Sequence, residues 1–377
     1  MNSFHSTLGS AVCFATLVGP APAQDLVVRI GHVGPLSGGY AAYGKDAENG
    51  VRMAIEDLNA KGMAIGGRPA HFELVSEDDA ADPKQGTAVA QKLCDAKVNG
   101  IVGHLNSGTT IPAAAIYHRC GVPHITMGAT NPKLTQAGYK TTFRMTPNDN
   151  TLGASIARHA AHALGVKTVA VIDDRTAYGQ GVTEVFKKTA LGLGLKIVEE
   201  QYTNDKASEF NAQLTAIKSK HPDAIFFGGL YSQAGPMLRQ MEQLGLVDVK
   251  FLGGDGICNP DLGKLSGGAK VADNVLCTEG GRSIQRMASG TAWKARYDAR
   301  FPGQYQTPSP YTYDATMVLV DAMARAGSAD PRVYATKLFS ADYEGVTGRI
   351  GFEPDGEMKN PPMTLYVYRD GKKTTLD

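Results

Sequence analysis

The 377-residue chain has almost no surplus charge: 38 Lys and Arg stand against 37 Asp and Glu, a net of +1. Without a basic surplus there is no electrostatic footprint for nucleic acid, and no Lys/Arg run marks a membrane-surface helix. Beyond the N-terminal segment, no apolar run approaches the ~20 residues that span a bilayer. Patterns that carry chemistry are equally scarce. Gly34-Pro35-Leu36-Ser37-Gly38-Gly39 lies between a strand and a helix. It has neither G-x-G-x-x-G spacing nor a terminal Gly-Lys-Ser/Thr, so a helix-capping turn accounts for it better than a phosphate loop. There is no G-x-S-x-G elbow and no H-E-x-x-H. His159 and His162 lack a nearby carboxylate and read as surface histidines rather than a metal pair. Glu77, Asp78 and Asp79 end a strand in a row and read as a solvated loop or helix start. No cofactor and no metal are expected. With neither a phosphate loop nor a nucleophile–base pair, no enzyme is expected either.

What is present is an ordinary globular composition, 42% hydrophobic and 20% charged, at a length that suits two domains. The N-terminus differs from the rest. Residues 7–18 are mostly small or apolar and lead into Gly19-Pro20-Ala21-Pro22-Ala23-Gln24. The small residues Ala21 and Ala23 suit a signal peptidase, so residues 1–23 are read as a cleaved signal peptide and the mature chain as exported. Cys13 lacks the residues expected before a lipidated cysteine. Export leaves Cys94, Cys120, Cys258 and Cys277 in an oxidising compartment, where four cysteines allow three pairings. None forms a C-x-x-C, which argues against zinc.

Strand-like runs alternate with helical patterns. Leu26-Val27-Val28-Arg29-Ile30 precedes a helix whose Ala47, Val51, Ala54, Ile55 and Leu58 share one face. Strands follow at 71–75, 100–105 and 124–127, with helices over 84–97 and 110–119 between them. The alternation resumes with strands at 168–172, 197–202, 224–227 and 251–253, and helices over 179–193, 209–220 and 233–244. Two such sets, separated near 142–150, predict an α/β protein of two doubly wound parallel-sheet lobes. The tail holds helical patterns at 288–301 and 312–326 and strand-like runs at 348–352 and 363–369, too little for a third domain. Breaks at 302–310 and 354–362 read as loops or hinge segments.

The informative polar residues sit at strand ends, where open α/β sheets bind ligands and helix N-termini point their N–H groups. Leu105-Asn106-Ser107-Gly108-Thr109-Thr110 ends one strand and opens a helix, and Gly128-Ala129-Thr130-Asn131-Pro132 does so one unit later. Each alone reads first as a helix cap. Two hydroxyl-bearing helix starts on consecutive strands could together hold a carboxylate with neutral hydrogen bonds. Asp255, after Gly253-Gly254, is as readily a turn aspartate as a site residue.

In order along the chain, Pro35-Leu36-Ser37-Gly38, Tyr43-Gly44, Asp78-Asp79-Ala80-Ala81-Asp82-Pro83, Val102-Gly103-His104-Leu105-Asn106-Ser107-Gly108, Ala129-Thr130-Asn131-Pro132, Tyr178-Gly179-Gln180-Gly181 and Gly253-Gly254-Asp255-Gly256 resemble the leucine/isoleucine/valine-binding proteins of bacterial ABC importers. The resemblance covers the whole mature chain. It implies a type I periplasmic binding fold, two lobes joined by a three-strand hinge, with lobe 1 over residues 24–147 plus 279–355 and lobe 2 over 148–278 plus 356–377. It implies that Ser107 and Thr130 hold a ligand carboxylate and help hold its ammonium, which the Gly128 carbonyl and Asp255 take. Tyr43 and Tyr178 would flank the ligand, with Leu105, Asn106, Ala129 and Tyr231 as further lining. Three departures stand out. The disulfide of the family's best-known members would join positions 81 and 106, here Ala81 and Asn106. The acid is Asp255 where those members have Glu. Pro308 stands where an aromatic residue is common.

The expected function is therefore that of a periplasmic substrate-binding component of an amino-acid importer. The ligand would be a small amino acid of the leucine, isoleucine and valine group, the membrane partner an ABC permease of the inner membrane, and the protein itself a monomer. An exported sensor on the same fold is the alternative, as is a binding protein for aromatic amino acids, small amides or aromatic acids. Asp255 discriminates among these, because a buried carboxylate is costly unless a cation meets it. A disulfide between Cys258 and Cys277 is expected, linking the Asp255 loop to the strand that leads into the crossover. Cys94 and Cys120 both lie near helix ends, and their pairing is left open.

Overall fold

The computed structural model describes residues 25–376, together with Met1. The expected signal peptide thus lies outside the described residues. Two sheets organise the rest. The first is built from β1 (Leu26–Gly34), β2 (Ala64–Ile65), β3 (Arg68–Asp78), β4 (Gly100–Gly103), β5 (His124–Thr126) and β6 (Thr142–Arg144), in the order β2-β3-β1-β4-β5-β6. All of its pairings are parallel except β2 with β3. The second contains β7 (Thr168–Asp173), β8 (Lys196–Tyr202), β9 (Ala224–Gly228), β10 (Lys250–Gly253) and β11 (Val275–Gly280). A small hairpin, β12 (Tyr343–Glu344) and β13 (Arg349–Ile350), stands apart from both sheets, and β14 (Met363–Arg369) and β15 (Lys372–Thr375) return to the second. Its order is β15-β14-β11-β10-β9-β7-β8, parallel from β8 to β11 and antiparallel at β14 and β15.

Helices cover the sheets because each βα crossover must lay its apolar stripe on them. In the first lobe these are α1 (Ala41–Lys61), α2 (Pro83–Asp95), α3 (Ser107–Cys120) and the short α4 (Lys133–Gln136). The face read from the sequence of α1, Ala47, Val51, Ala54, Ile55 and Leu58, is buried throughout. α2 starts where Asp82 accepts from the N–H groups of Lys84 and Gln85 at 2.8 and 3.0 Å, with Pro83 supplying a preset φ. The second lobe takes α5 (Asp149–His162), α6 (Ala177–Gly192), α7 (Asn211–Lys218), α8 (Tyr231–Gln243) and α9 (Leu262–Leu265). The tail then contributes α10 (Gly290–Arg300), α11 (Ser309–Ala326) and α12 (Pro331–Leu338). α11 packs on α1, and Val318, Leu319, Tyr334 and Leu338 join the core beneath the first sheet. The chain thus passes between sheets after β6, after β11 and before β14.

The strand-like reading of 348–352 shrinks to Arg349–Ile350 plus a bridge from Phe352 to Met358. α12 went unread because it is only eight residues long, although Asp330-Pro331 starts it in the same way that Asp82-Pro83 starts α2. Cys258 and Cys277 form a disulfide, and so do Cys94 and Cys120. One expectation fails. Asp79 is not a solvated loop residue but fully buried, and it accepts from His104 Nδ1 at 2.7 Å. The other ring nitrogen of His104 meets the Tyr117 hydroxyl at 2.9 Å, so a polar chain threads the core below the ends of β3 and β4.

Candidate functional site

Parallel strands of both sheets end at one cleft between the lobes. The space left inside it is small, about 60 Å³. From the first lobe it is walled by Pro35, Tyr40, Tyr43, Leu105, Asn106, Ser107 and Gly128. From the second come Tyr178, Leu230, Tyr231, Asp255, Gly256, Cys258, Asn259 and Glu279. The structure therefore brings together Ser107, Gly128, Asp255, Tyr178, Tyr43, Leu105, Asn106 and Tyr231 from the residues singled out in the sequence. Ala129 and Thr130 sit just behind Gly128, fully buried and outside the lining.

The first-lobe wall is an array of neutral donors. Asn106 is the N-cap of α3 and Ser107 its first residue, so the opening N–H groups of the helix, which lack partners within it, lie at the cleft. Ser107 Oγ accepts from the N–H of Asn131 at 3.2 Å. Thr126 ties the two strand ends together: its hydroxyl donates to the His104 carbonyl at 2.6 Å and accepts from the N–H of Ala129 at 3.1 Å. Arg144, fully buried, donates to the carbonyls of Ala129 and Asn131 at 2.7 and 2.9 Å and pairs with Glu357. Gly128 is required by close approach, since a Cβ there would lie 2.7 Å from the Leu105 carbonyl oxygen. Thr130 Oγ1 is buried beside the Asp149 carboxyl.

The second-lobe wall is acidic and aromatic. Asp255 follows β10 in a single 3₁₀ turn, with part of its surface open to the cleft. The Tyr178 hydroxyl donates to Asp255 Oδ1 at 2.9 Å and accepts from the N–H of Gly256 at 2.8 Å. Gly256 leaves room for this ring, because a Cβ would stand 2.7 Å from Tyr178 Cε1. Burial pushes the Asp255 carboxyl up to about 7; the Tyr178 hydrogen bond opposes the rise and the charge of Glu279 adds to it. Burial, with Asp255 and Asp149 adding to it, holds the Tyr178 phenol well above its usual range, so it stays a neutral donor. Asp149, buried at the start of α5, is likewise held well above the carboxylate range by burial and then by Asp255, with the Thr130 hydroxyl and Arg144 opposing the rise.

The lobes also touch around the cleft. The Tyr40 ring packs edge-on against Tyr231 with centroids 5.9 Å apart, and the Tyr231 hydroxyl donates to the Gly39 carbonyl at 3.3 Å. Asn131 Nδ2 donates to the Ala177 carbonyl at 2.6 Å, and Gln306 bonds both Asn259 and Asp261 at 3.3 Å. Neutral donors thus face an anionic group across a short gap floored by Leu105 and Tyr43. That arrangement is complementary to a small zwitterion.

Tyr40, Asn259 and Glu279 were not read from the sequence. Tyr40 carried a weak signal, as an aromatic within the Gly-rich turn before α1. Glu279 carried none, because Thr278-Glu279-Gly280-Gly281 looks like any strand-to-turn exit.

The sequence profile of the family described as "periplasmic binding protein" matches residues 27–373. A leucine-, isoleucine-, valine-, threonine- and alanine-binding protein of Pseudomonas aeruginosa is 35% identical over 376 residues, covering 98% of each chain. Among solved structures, a leucine binding protein LivK of Thermotoga maritima superposes with a TM-score of 0.84 at 27% identity, covering 93% of this chain and 98% of its own. The branched-chain amino acid transporter substrate binding protein LivJ of Streptococcus pneumoniae, in complex with isoleucine, gives a TM-score of 0.80 at 27% identity over 92% and 97%.

Proposed function

Since the chain belongs to the periplasmic binding protein family, we propose that it is the substrate-binding component of an ABC importer for a small α-amino acid of the leucine, isoleucine and valine group. The observation that carries this reading is the pairing of opposite recognition elements across one cleft: the Ser107 end of α3 on one lobe, and Asp255 with Tyr178 on the other. In this reading the α-carboxylate lies on Ser107 and the opening N–H groups of α3. The ammonium is taken by Asp255 and the Gly128 carbonyl, with Thr130 behind them. Tyr43 and Tyr178 flank the ligand from the two lobes, Tyr231 adds to the lining, and Leu105 contacts the ligand's side chain. Lobe 1 comprises residues 24–147 and 279–355, lobe 2 the remainder of the mature chain, and the three passages between sheets form the hinge.

Exported by removal of residues 1–23, the monomeric protein works in the periplasm and delivers its ligand to an inner-membrane permease. No bond is made or broken. The cleft selects by matching charge, and lobe closure excludes water, so each hydrogen bond and ion pair is worth more than it would be in solution. A thermal-shift screen against the common amino acids, with benzoate as an aromatic acid lacking an amine, tests this. A ligand specific to the folded state adds roughly 4 kcal/mol at a thousandfold excess over Kd. Leucine, isoleucine or valine should give the largest shifts. A screen in which only benzoate or only charged amino acids shifted the transition would contradict the assignment.

A further inference from the structure

Tyr40 lines the cleft, yet the amino-acid reading gives it neither end of the ligand to hold. It closes the turn Gly38–Tyr40, whose two glycines are exposed, just ahead of α1. Upstream the turn is anchored where the Leu36 N–H donates to Asp78 Oδ1 at 2.8 Å, and downstream it runs into α1. Between those anchors Gly38 has a φ of +74°, and nothing lies within 4 Å of where its Cβ would stand. The contacts of the turn reach across to α8 on the other lobe. The Tyr40 and Tyr231 rings meet edge-on, 5.9 Å between centroids and 78° between planes. The Tyr231 hydroxyl donates to the Gly39 carbonyl at 3.3 Å, and Ser232 stands beside the Tyr40 phenol.

Tyr40 also stands at a boundary. With Asn106, Tyr178 and Leu230 it lines both the ligand cleft and a second, larger space of about 360 Å³. That outer groove has exposed residues on both sides, Pro83 of the first lobe and Arg175, Ala177 and Asp205 of the second, so it leads to solvent. At this boundary Tyr178 is fixed by its bonds to Asp255 and Gly256, and Asn106 by its place at the start of α3. Tyr40 spans the lobes there through its ring contact with Tyr231.

We propose that Tyr40 is the latch of the closed cleft: packed on Tyr231, it shuts the passage from the ligand space to the outer groove and sets how long the amino acid stays. The inference rests on the amino-acid reading of the cleft and adds a positioning residue that reads no group of the ligand. A contact between lobes exists only while they are together, so a ligand entering the parted cleft gains it after binding. Losing it speeds escape and leaves entry alone. The latch closes over whichever ligand is present, so leucine and valine should be released faster by one common factor.

Release of radiolabelled leucine and valine from the full mature protein into excess unlabelled ligand, combined with equilibrium titration, provides the test. Tyr40→Ala should raise both release rates, and both Kd values with them, by roughly three- to tenfold, the worth of an edge-on aromatic pair. The association rates, and the ratio of leucine to valine affinity, should stay as in the parent. Tyr40→Phe keeps the ring and should release at close to the parent rate. In a Tyr231→Ala background, Tyr40→Ala should add little. A Tyr40 that acts by touching the ligand's side chain would shift the leucine-to-valine ratio. One that only supports the turn would lower the melting temperature with release unchanged. Either result, or slower association in place of faster release, overturns the latch while leaving amino-acid binding intact. Failure of the parent to bind any amino acid overturns both readings.

Discussion

Replacing Asp255 by Asn removes a charge and almost nothing else. The amide occupies the same space after β10, still accepts from the Tyr178 hydroxyl that now lies 2.9 Å from Oδ1, and leaves the 3₁₀ turn intact. What it cannot do is neutralise an ammonium. Asp149 and Glu279 do not substitute for it, the first being buried behind the lining and the second already paired with Lys373. Stranding one member of a buried ion pair costs about 3–5 kcal/mol. At 1.4 kcal/mol per tenfold, that is a loss of roughly two to three orders of magnitude in affinity for leucine or valine. A pH dependence accompanies it. With burial raising the free carboxyl to about 7, a proton competes with the ligand's ammonium for Asp255 below that pH. Affinity should be level above about pH 7 and fall by up to tenfold per unit below it, and Asp255→Asn should abolish that slope. Calorimetry of both proteins between pH 5 and 8 reads both effects. An Asn variant that binds as tightly as the parent, with the parent's pH slope unchanged, would refute the ammonium assignment.

Two further perturbations test the surroundings of the site. Tyr178→Phe removes both the donor to Asp255 and the acceptor for the Gly256 N–H. Hydrogen bonds to charged groups are worth about 1.5–3 kcal/mol, so affinity should drop roughly ten- to a hundredfold; titration of the folded variant checks this, and an unchanged Kd would speak against it. The disulfides close loops with sequence separations of 19 and 26 residues, worth about 3 and about 3.5 kcal/mol in the chain-entropy model. Reductant should lower the urea midpoint accordingly, and alkylation of four thiols without reduction would contradict both bridges.

The site was legible wherever its residues announced themselves locally. Ser107 stood out as a hydroxyl opening a helix after a strand, a placement that follows from how parallel sheets expose their carboxyl ends; Thr130, read in the same way, instead lies in the loop before α4 and outside the cleft lining. Asp255 was ambiguous on local grounds, and only the resemblance favoured it over a turn. What the sequence concealed were partners far apart along the chain. Asp79 looked solvated because it ends a run of three carboxylates with Glu77 and Asp78, while in the fold it is buried against His104, 25 residues on. Glu279 lines the cleft from the end of β11, and its partner Lys373 stands 94 residues later. The amphipathic face of α1 was plain from its period. α12 was not, because eight residues give too little periodicity to separate a helix from a loop.

If both ends of an α-amino acid are read in this cleft, the carboxylate by α3 and the ammonium by Asp255, removing the amine must abolish most of the affinity. Calorimetry with leucine and with 4-methylpentanoate, which keeps leucine's carboxylate and side chain but lacks the amine, tests it most directly. Leucine should bind saturably and, with Asp255 left facing no cation, the deaminated acid should bind more weakly by at least two orders of magnitude. Equal affinity for the two would contradict it.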